Sequence, residues 1–146
     1  MEIAYRVVLA ANALWFGAGF WYFALKRETA AKLLIPRSVR DSPIFPTMSA
    51  ALPFLGGMNL AWCLLAVLLL ALPQLFAGGS ERAVLLLVMG VAHATQFAIN
   101  VPVARRGGRI GESYWDVTRG PMLFIFVVDA ALMVVNAALA GVLFWS

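Results

Sequence analysis

The chain has little with which to do chemistry in water. It holds one cysteine, one histidine, eleven Lys or Arg and seven Asp or Glu in 146 residues. The lone Cys63 excludes an intrachain disulfide, a Cys-x-x-Cys redox pair and covalent haem attachment. With one histidine, an ordinary zinc site would need His93, Asp129 and Cys63 to converge with no other candidates, which is not expected. No nucleophile-elbow motif is present and no serine stands near mid-span, so Ser-His-Asp hydrolysis is not expected either. The glycines Gly107-Gly108 follow no strand pattern and precede no Lys-Ser/Thr, which excludes a phosphate loop. Charged residues make up 12% of the chain, about half the share in a soluble domain. The net charge of +4 therefore points to lipid headgroups and away from nucleic acid.

What is abundant is apolar: 63% of residues, with a mean hydropathy of +0.89. At about 20 residues per span, the length fits an all-α, integral membrane bundle of four transmembrane helices in one domain, with spans near residues 3–25, 47–72, 83–104 and 120–145. The first run follows Met1-Glu2 with no basic segment and is too long for a signal-peptide core, so it is expected to be retained. Loops 26–46 and 105–119 carry Lys26, Arg27, Lys32, Arg37, Arg40, Arg105, Arg106, Arg109 and Arg119, against Arg6 and Arg82 on the other side. Nine against two places both loops in the cytoplasm and both termini outside, in a plasma (inner) membrane.

Helical periodicity organises the polar residues. Met89, His93, Gln96 and Asn100 fall in a sector of roughly 60° on the third span, beside Gly90, Ala94 and Ala98. On the fourth, Met122, Phe126, Asp129, Met133, Asn136 and Ala140 share a face. On the first, Tyr5, Asn12, Phe16, Gly19 and Phe23 do so, and Ala13 with Gly17 offers a small-xxx-small contact. Polar stripes facing lipid would be costly, so all three should face other helices or a cavity. Counting about 1.5 Å per residue puts His93, Asp129 and Asn59 near the midplane, which predicts their convergence. Asn12 and Asn136 lie nearer the outer face and read best as hydrogen-bonding glue between helices.

Two chemistries are open to His93. Beside Asp129 it would be held in one tautomer and suit general acid–base catalysis. Alternatively its imidazole would be an axial haem-iron ligand, with the small face of the third span and Gly56-Gly57 of the second admitting a flat macrocycle. Asn59, Gln96, Asn100, Phe126 and Met133 are the expected substrate contacts. In the second span Pro53 predicts a kink, and Gly57 with Ala61 offers a packing face.

The connections are less specific. Residues 29–35 predict a short interfacial helix stopped by Pro36, with Pro43 and Pro46 keeping the rest of that loop extended. Ser80 is the candidate cap of the third span. Phe20 to Phe23, and Tyr114-Trp115, read as headgroup-level aromatic anchors.

The run Leu52-Pro53-Phe54-Leu55-Gly56-Gly57-Met58-Asn59, with Leu72-Pro73, Asn100 and the Arg106-Gly107-Gly108-Arg109 loop, resembles the small bacterial four-helix membrane proteins found with aromatic-degradation enzymes. These include styrene oxide isomerase and membrane proteins of biphenyl-degradation clusters. The resemblance implies a haem iron acting as Lewis acid on an epoxide and Asn59 as a substrate-orienting residue. That family's axial histidine lies near the start of the second span, where this chain has none.

Together these readings give an intramembrane pocket that binds, and in the enzymatic version isomerises, a small hydrophobic molecule through His93, Asp129 and Asn59. The alternatives are a non-catalytic accessory subunit of a membrane complex and a transporter. Four helices bury little alone, so a homo-oligomer through small-residue faces is also expected.

Overall fold

The computed structural model describes residues 1–110 and 113–145. It is helical apart from a two-residue antiparallel ladder. Helix α1 spans Glu2–Phe20 and runs on into a π-helical turn, Trp21–Leu25, closed by the Lys26 N–H donating to the Trp21 carbonyl at 3.1 Å. The short α2, Arg27–Leu34, stops before Pro36 as its sequence requires. Then come α3, Ile44–Ala71, and α4, Gly79–Arg105. Strands β1, Arg109–Ile110, and β2, Ser113–Tyr114, precede α5, Gly120–Phe144. The four long helical segments of 24, 28, 27 and 25 residues are long and apolar enough to cross a membrane, which makes this a multi-pass integral membrane protein.

Two local expectations change. The loop after α2 is not extended up to Pro46, because Pro43 is the N-cap of α3 and Pro46 lies in its first turn, where a missing N–H leaves no bond unmade. Gly78, not Ser80, caps α4, its N–H donating to the Glu81 carboxylate at 3.3 Å. Trp115 packs beside Val103, Val117 and Met122 as part of a small core; the Tyr114 side chain lies outside the described structure.

The bundle is two helix pairs, α1 with α3 and α4 with α5, whose backbones approach each other little. At the end holding the termini the pairs are zipped by a core drawn from all four helices: Tyr5, Val8 and Leu9, then Ala66 and Leu69, Leu86 and Met89, and Ala140 and Leu143. At the other end α2 folds back on α3 through Ala30, Ala31, Ile35 and Leu52. Outward faces are apolar, with Ile3, Leu14, Phe54, Val91 and Val127 largely exposed for contact with lipid. Gly57 and Ala61 also face outward, and Gly56 takes the packing role: a Cβ there would lie 2.7 Å from the Ala24 backbone nitrogen in the π turn.

Candidate functional site

Between the zipped end and the α2 end, the polar stripes of α1, α4 and α5 meet. Asn12, His93, Asp129 and Asn136 are all wholly buried. Each asparagine first anchors its amide on its own helix, Asn12 Nδ2 donating to the Val8 carbonyl and Asn136 Nδ2 to that of Leu132, both at 2.8 Å. This back-bonding fixes which way each amide points. The two then exchange bonds across the bundle, Asn12 Nδ2 donating to Asn136 Oδ1 at 3.1 Å and Asn136 Nδ2 to Asn12 Oδ1 at 3.2 Å. Gly90 allows the approach, since Asn136 packs against the place where its Cβ would be.

With its amide fixed, Asn12 presents Oδ1 to His93 Nε2 at 3.0 Å. An amide oxygen only accepts, so Nε2 carries a proton. The other ring nitrogen, Nδ1, lies 2.9 Å from Asp129 Oδ1. A single proton must occupy that contact, on Nδ1 or on Oδ1, because two bare acceptors would repel. The pair is therefore net neutral in either form, which suits its complete burial. Trp15 Nε1 donates to the same Asp129 Oδ1 at 2.9 Å, so that one oxygen takes both contacts. Asp129 Oδ2 has no hydrogen-bond partner among the described residues. Phe16 stacks on the imidazole at 4.7 Å between centroids and 19° between planes.

His93 does not fit as an axial haem ligand in this arrangement. Both ring nitrogens are held, one ring face is covered by Phe16, and an iron on Nε2 would have to displace the Asn12 oxygen. Among the described residues no three His, Cys, Asp or Glu side chains group as a metal site.

Asn59 stays outside the network. It is buried on α3, donates Nδ2 to the Leu55 carbonyl at 2.8 Å, and abuts Gly19. With Gln96 it lines a cavity of about 330 Å³ on the α2 side of the network. The walls are the wedge left between the two helix pairs. Trp15, Gly19, Tyr22 and Phe23 with Leu33 of α2 line one flank, and Pro121, Phe124 and Ile125 of α5 the other. None of the described residues that line it is charged. Trp15 belongs to both places: its ring meets Phe124 edge-on at 5.6 Å while its N–H holds Asp129.

Of the other expected substrate contacts, Phe126 stacks on Phe97 at 4.7 Å and Met133 backs onto Gly90, so neither lines this cavity. Asn100 donates to the Gln96 carbonyl at 2.9 Å, and its buried Oδ1 has no partner among the described residues. Phe23 lines the cavity from the inward stripe of the first span, while the inward stripes do not mark Trp15, Tyr22, Phe124 and Ile125 as lining residues. For Trp15 a signal exists: it lies three residues after Asn12, next to Phe16 on the polar face, where an indole N–H needs a partner.

No known protein family, curated protein or solved structure matches the chain.

Proposed function

We propose that this protein binds a small, neutral, hydrophobic molecule in the wedge between its two helix pairs, with both termini outside and loops 26–46 and 105–119 on the cytoplasmic side of the plasma membrane. The observation that carries this reading is the aromatic cavity itself. At about 330 Å³ it is at the lower end of the range for small-molecule sites, which suits a one- or two-ring ligand. Its lining is mostly apolar and aromatic, with Asn59 and Gln96 as the amide residues, so a charged ligand would go unpaired there.

The π turn supports the same role. A π-helical turn in an α-helix is often found at a functional site. Here it turns Trp21, Tyr22 and Phe23 to the wedge, while Gly56 lets α3 close against its back. The His93–Asp129 network is then the joint that holds the pairs at a fixed separation, and the cavity is the space that separation leaves. Catalysis by His93 would need a substrate to reach a fully buried ring, whereas binding in the wedge needs no such step.

Bromobenzene titrated into the purified protein in lipid nanodiscs tests the reading through heavy-atom quenching of tryptophan emission. Trp15 and Trp21 line the cavity, while Trp62, Trp115 and Trp145 do not. Quenching is expected to saturate with most of the emission remaining, and isopropylbenzene is expected to relieve it. A linear, non-saturating loss of all emission would contradict a defined site.

A further inference from the structure

We propose that occupation of the wedge moves the shared proton of the buried His93–Asp129 pair, that Trp15 is the switch, and that the ligands that throw it are neutral molecules carrying a hydrogen-bond acceptor. The inference rests on the cavity being a ligand site and adds the ligand's chemistry and its effect on the pair.

Three observations combine. Among the described residues Trp15 is the one that both lines the cavity and bonds to the pair. Asp129 has all its described hydrogen bonds on Oδ1, from His93 Nδ1 and Trp15 Nε1, while Oδ2 is buried with none. Among the described residues two donors thus hold the carboxylate, and loss of one is a large fractional change in a buried site. The groups that face the pair from the packed helices are Asn12, Trp15 and Phe16 of α1 and Asn136 of α5. None of these is ionisable near neutral pH, so among the described residues no further charge holds the proton in place.

The ligand-linked step follows. A carbonyl, ether or similar acceptor in the wedge takes the Trp15 N–H, and the indole turns from Asp129 to the ligand. Asp129 Oδ1 is left with His93 as sole donor. The N–H bond at Nδ1 then breaks and an O–H bond forms at Oδ1, converting imidazolium and carboxylate into neutral imidazole and carboxylic acid. No proton enters or leaves the pair. Nε2 keeps its proton throughout, because Asn12 Oδ1 still faces it. A hydrocarbon of the same shape fills the wedge but cannot take the N–H, so it leaves the proton on Nδ1.

The chain has one histidine, so nitrogen-15 histidine labelling of the full-length protein reports on His93 alone. In lipid nanodiscs without ligand, both ring nitrogens are expected in the protonated, pyrrole-type shift range. Saturating acetophenone is expected to move Nδ1 far downfield toward the pyridine-type range and leave Nε2 in place. Isopropylbenzene, which has a methyl where acetophenone has its oxygen, is expected to bind and move neither. Trp15→Phe removes the donor without any ligand and is expected to shift Nδ1 as acetophenone does. An unmoved Nδ1 in folded Trp15→Phe, or in wild type with acetophenone bound, would overturn the switch. If neither compound relieves bromobenzene quenching, the cavity reading and its ligand-driven step fall together, and a shifted Nδ1 in Trp15→Phe would still establish the Trp15-to-pair coupling.

Discussion

His93→Ala is expected to destabilise the protein by about 3–5 kcal/mol, the range for deleting one partner of a buried ionic pair. The loss is large because it strands groups that cannot reach water. Asp129 keeps only the Trp15 donor, Asn12 Oδ1 keeps only Asn136, and Phe16 loses the ring it stacks on. Protonation of Asp129 would limit the loss without restoring the geometry. The more discriminating variant is Asp129→Asn, which preserves shape and can still accept from Trp15. Without the carboxylate a buried His93 is neutral and has one N–H for two acceptors, so either Nδ1 or Nε2 faces an oxygen with no proton between them. That predicts a loss of about 1–3 kcal/mol from a nearly isosteric change. The double variant His93→Ala/Asp129→Ala should lose less than the sum of the single alanine variants, since neither member of the pair is left facing the gap of the other. Unfolding by sodium dodecyl sulfate in mixed micelles measures all of these. Additive singles, or an Asp129→Asn variant as stable as wild type, would contradict the proton assignment.

Gly56→Ala is expected to lose ligand binding as well as about 1–3 kcal/mol of stability, by overpacking. The added methyl would lie 2.6 Å from the Ala24 Cβ and 2.7 Å from the Ala24 nitrogen, so α3 or the π turn must move as backbone. Moving the turn displaces Tyr22 and Phe23 from the wedge. Gly19→Ala is the instructive comparison. Its methyl would meet Asn59 Oδ1 at 2.5 Å, but that is a side chain tethered by one hydrogen bond and able to swing. The expected outcome is weaker binding with a smaller change in stability. Saturable bromobenzene quenching together with detergent unfolding separates the two. Equal stability losses in both variants, with binding intact, would contradict the role given to the π turn.

Much of this arrangement is legible in the sequence because a membrane enforces a simple rule. Polar side chains on apolar helices must turn inward, so the stripes through Asn12, through His93 and through Asp129 and Asn136 had one direction open to them, and all four side chains are wholly buried together. The amide glue expected of Asn12 and Asn136 is present as a reciprocal pair. What periodicity cannot give is distance between helices. Asn59 has the right depth but belongs to the helix pair across the wedge, so it lines the cavity while the network forms without it. The aromatic run Phe20 to Phe23 reads as a headgroup belt because a π turn leaves no mark in a pattern of 3.6 residues, and that turn brings Tyr22 and Phe23 to the cavity. Gly56 and Gly57 are equivalent in sequence. Only the approach of Ala24 tells the packing glycine from the one that faces outward.

A neutral hydrophobic ligand in the wedge between the two helix pairs should be open to covalent labelling in place. Photolabelling with an aryl diazirine in nanodiscs, followed by peptide mapping, tests it most directly. The account predicts label concentrated on Trp15 to Phe23 and on Pro121 to Ile125, one stretch from each pair, and suppressed by excess acetophenone. Label spread over the lipid-facing Leu14, Phe54, Leu87 and Val91, and indifferent to competitor, would contradict it.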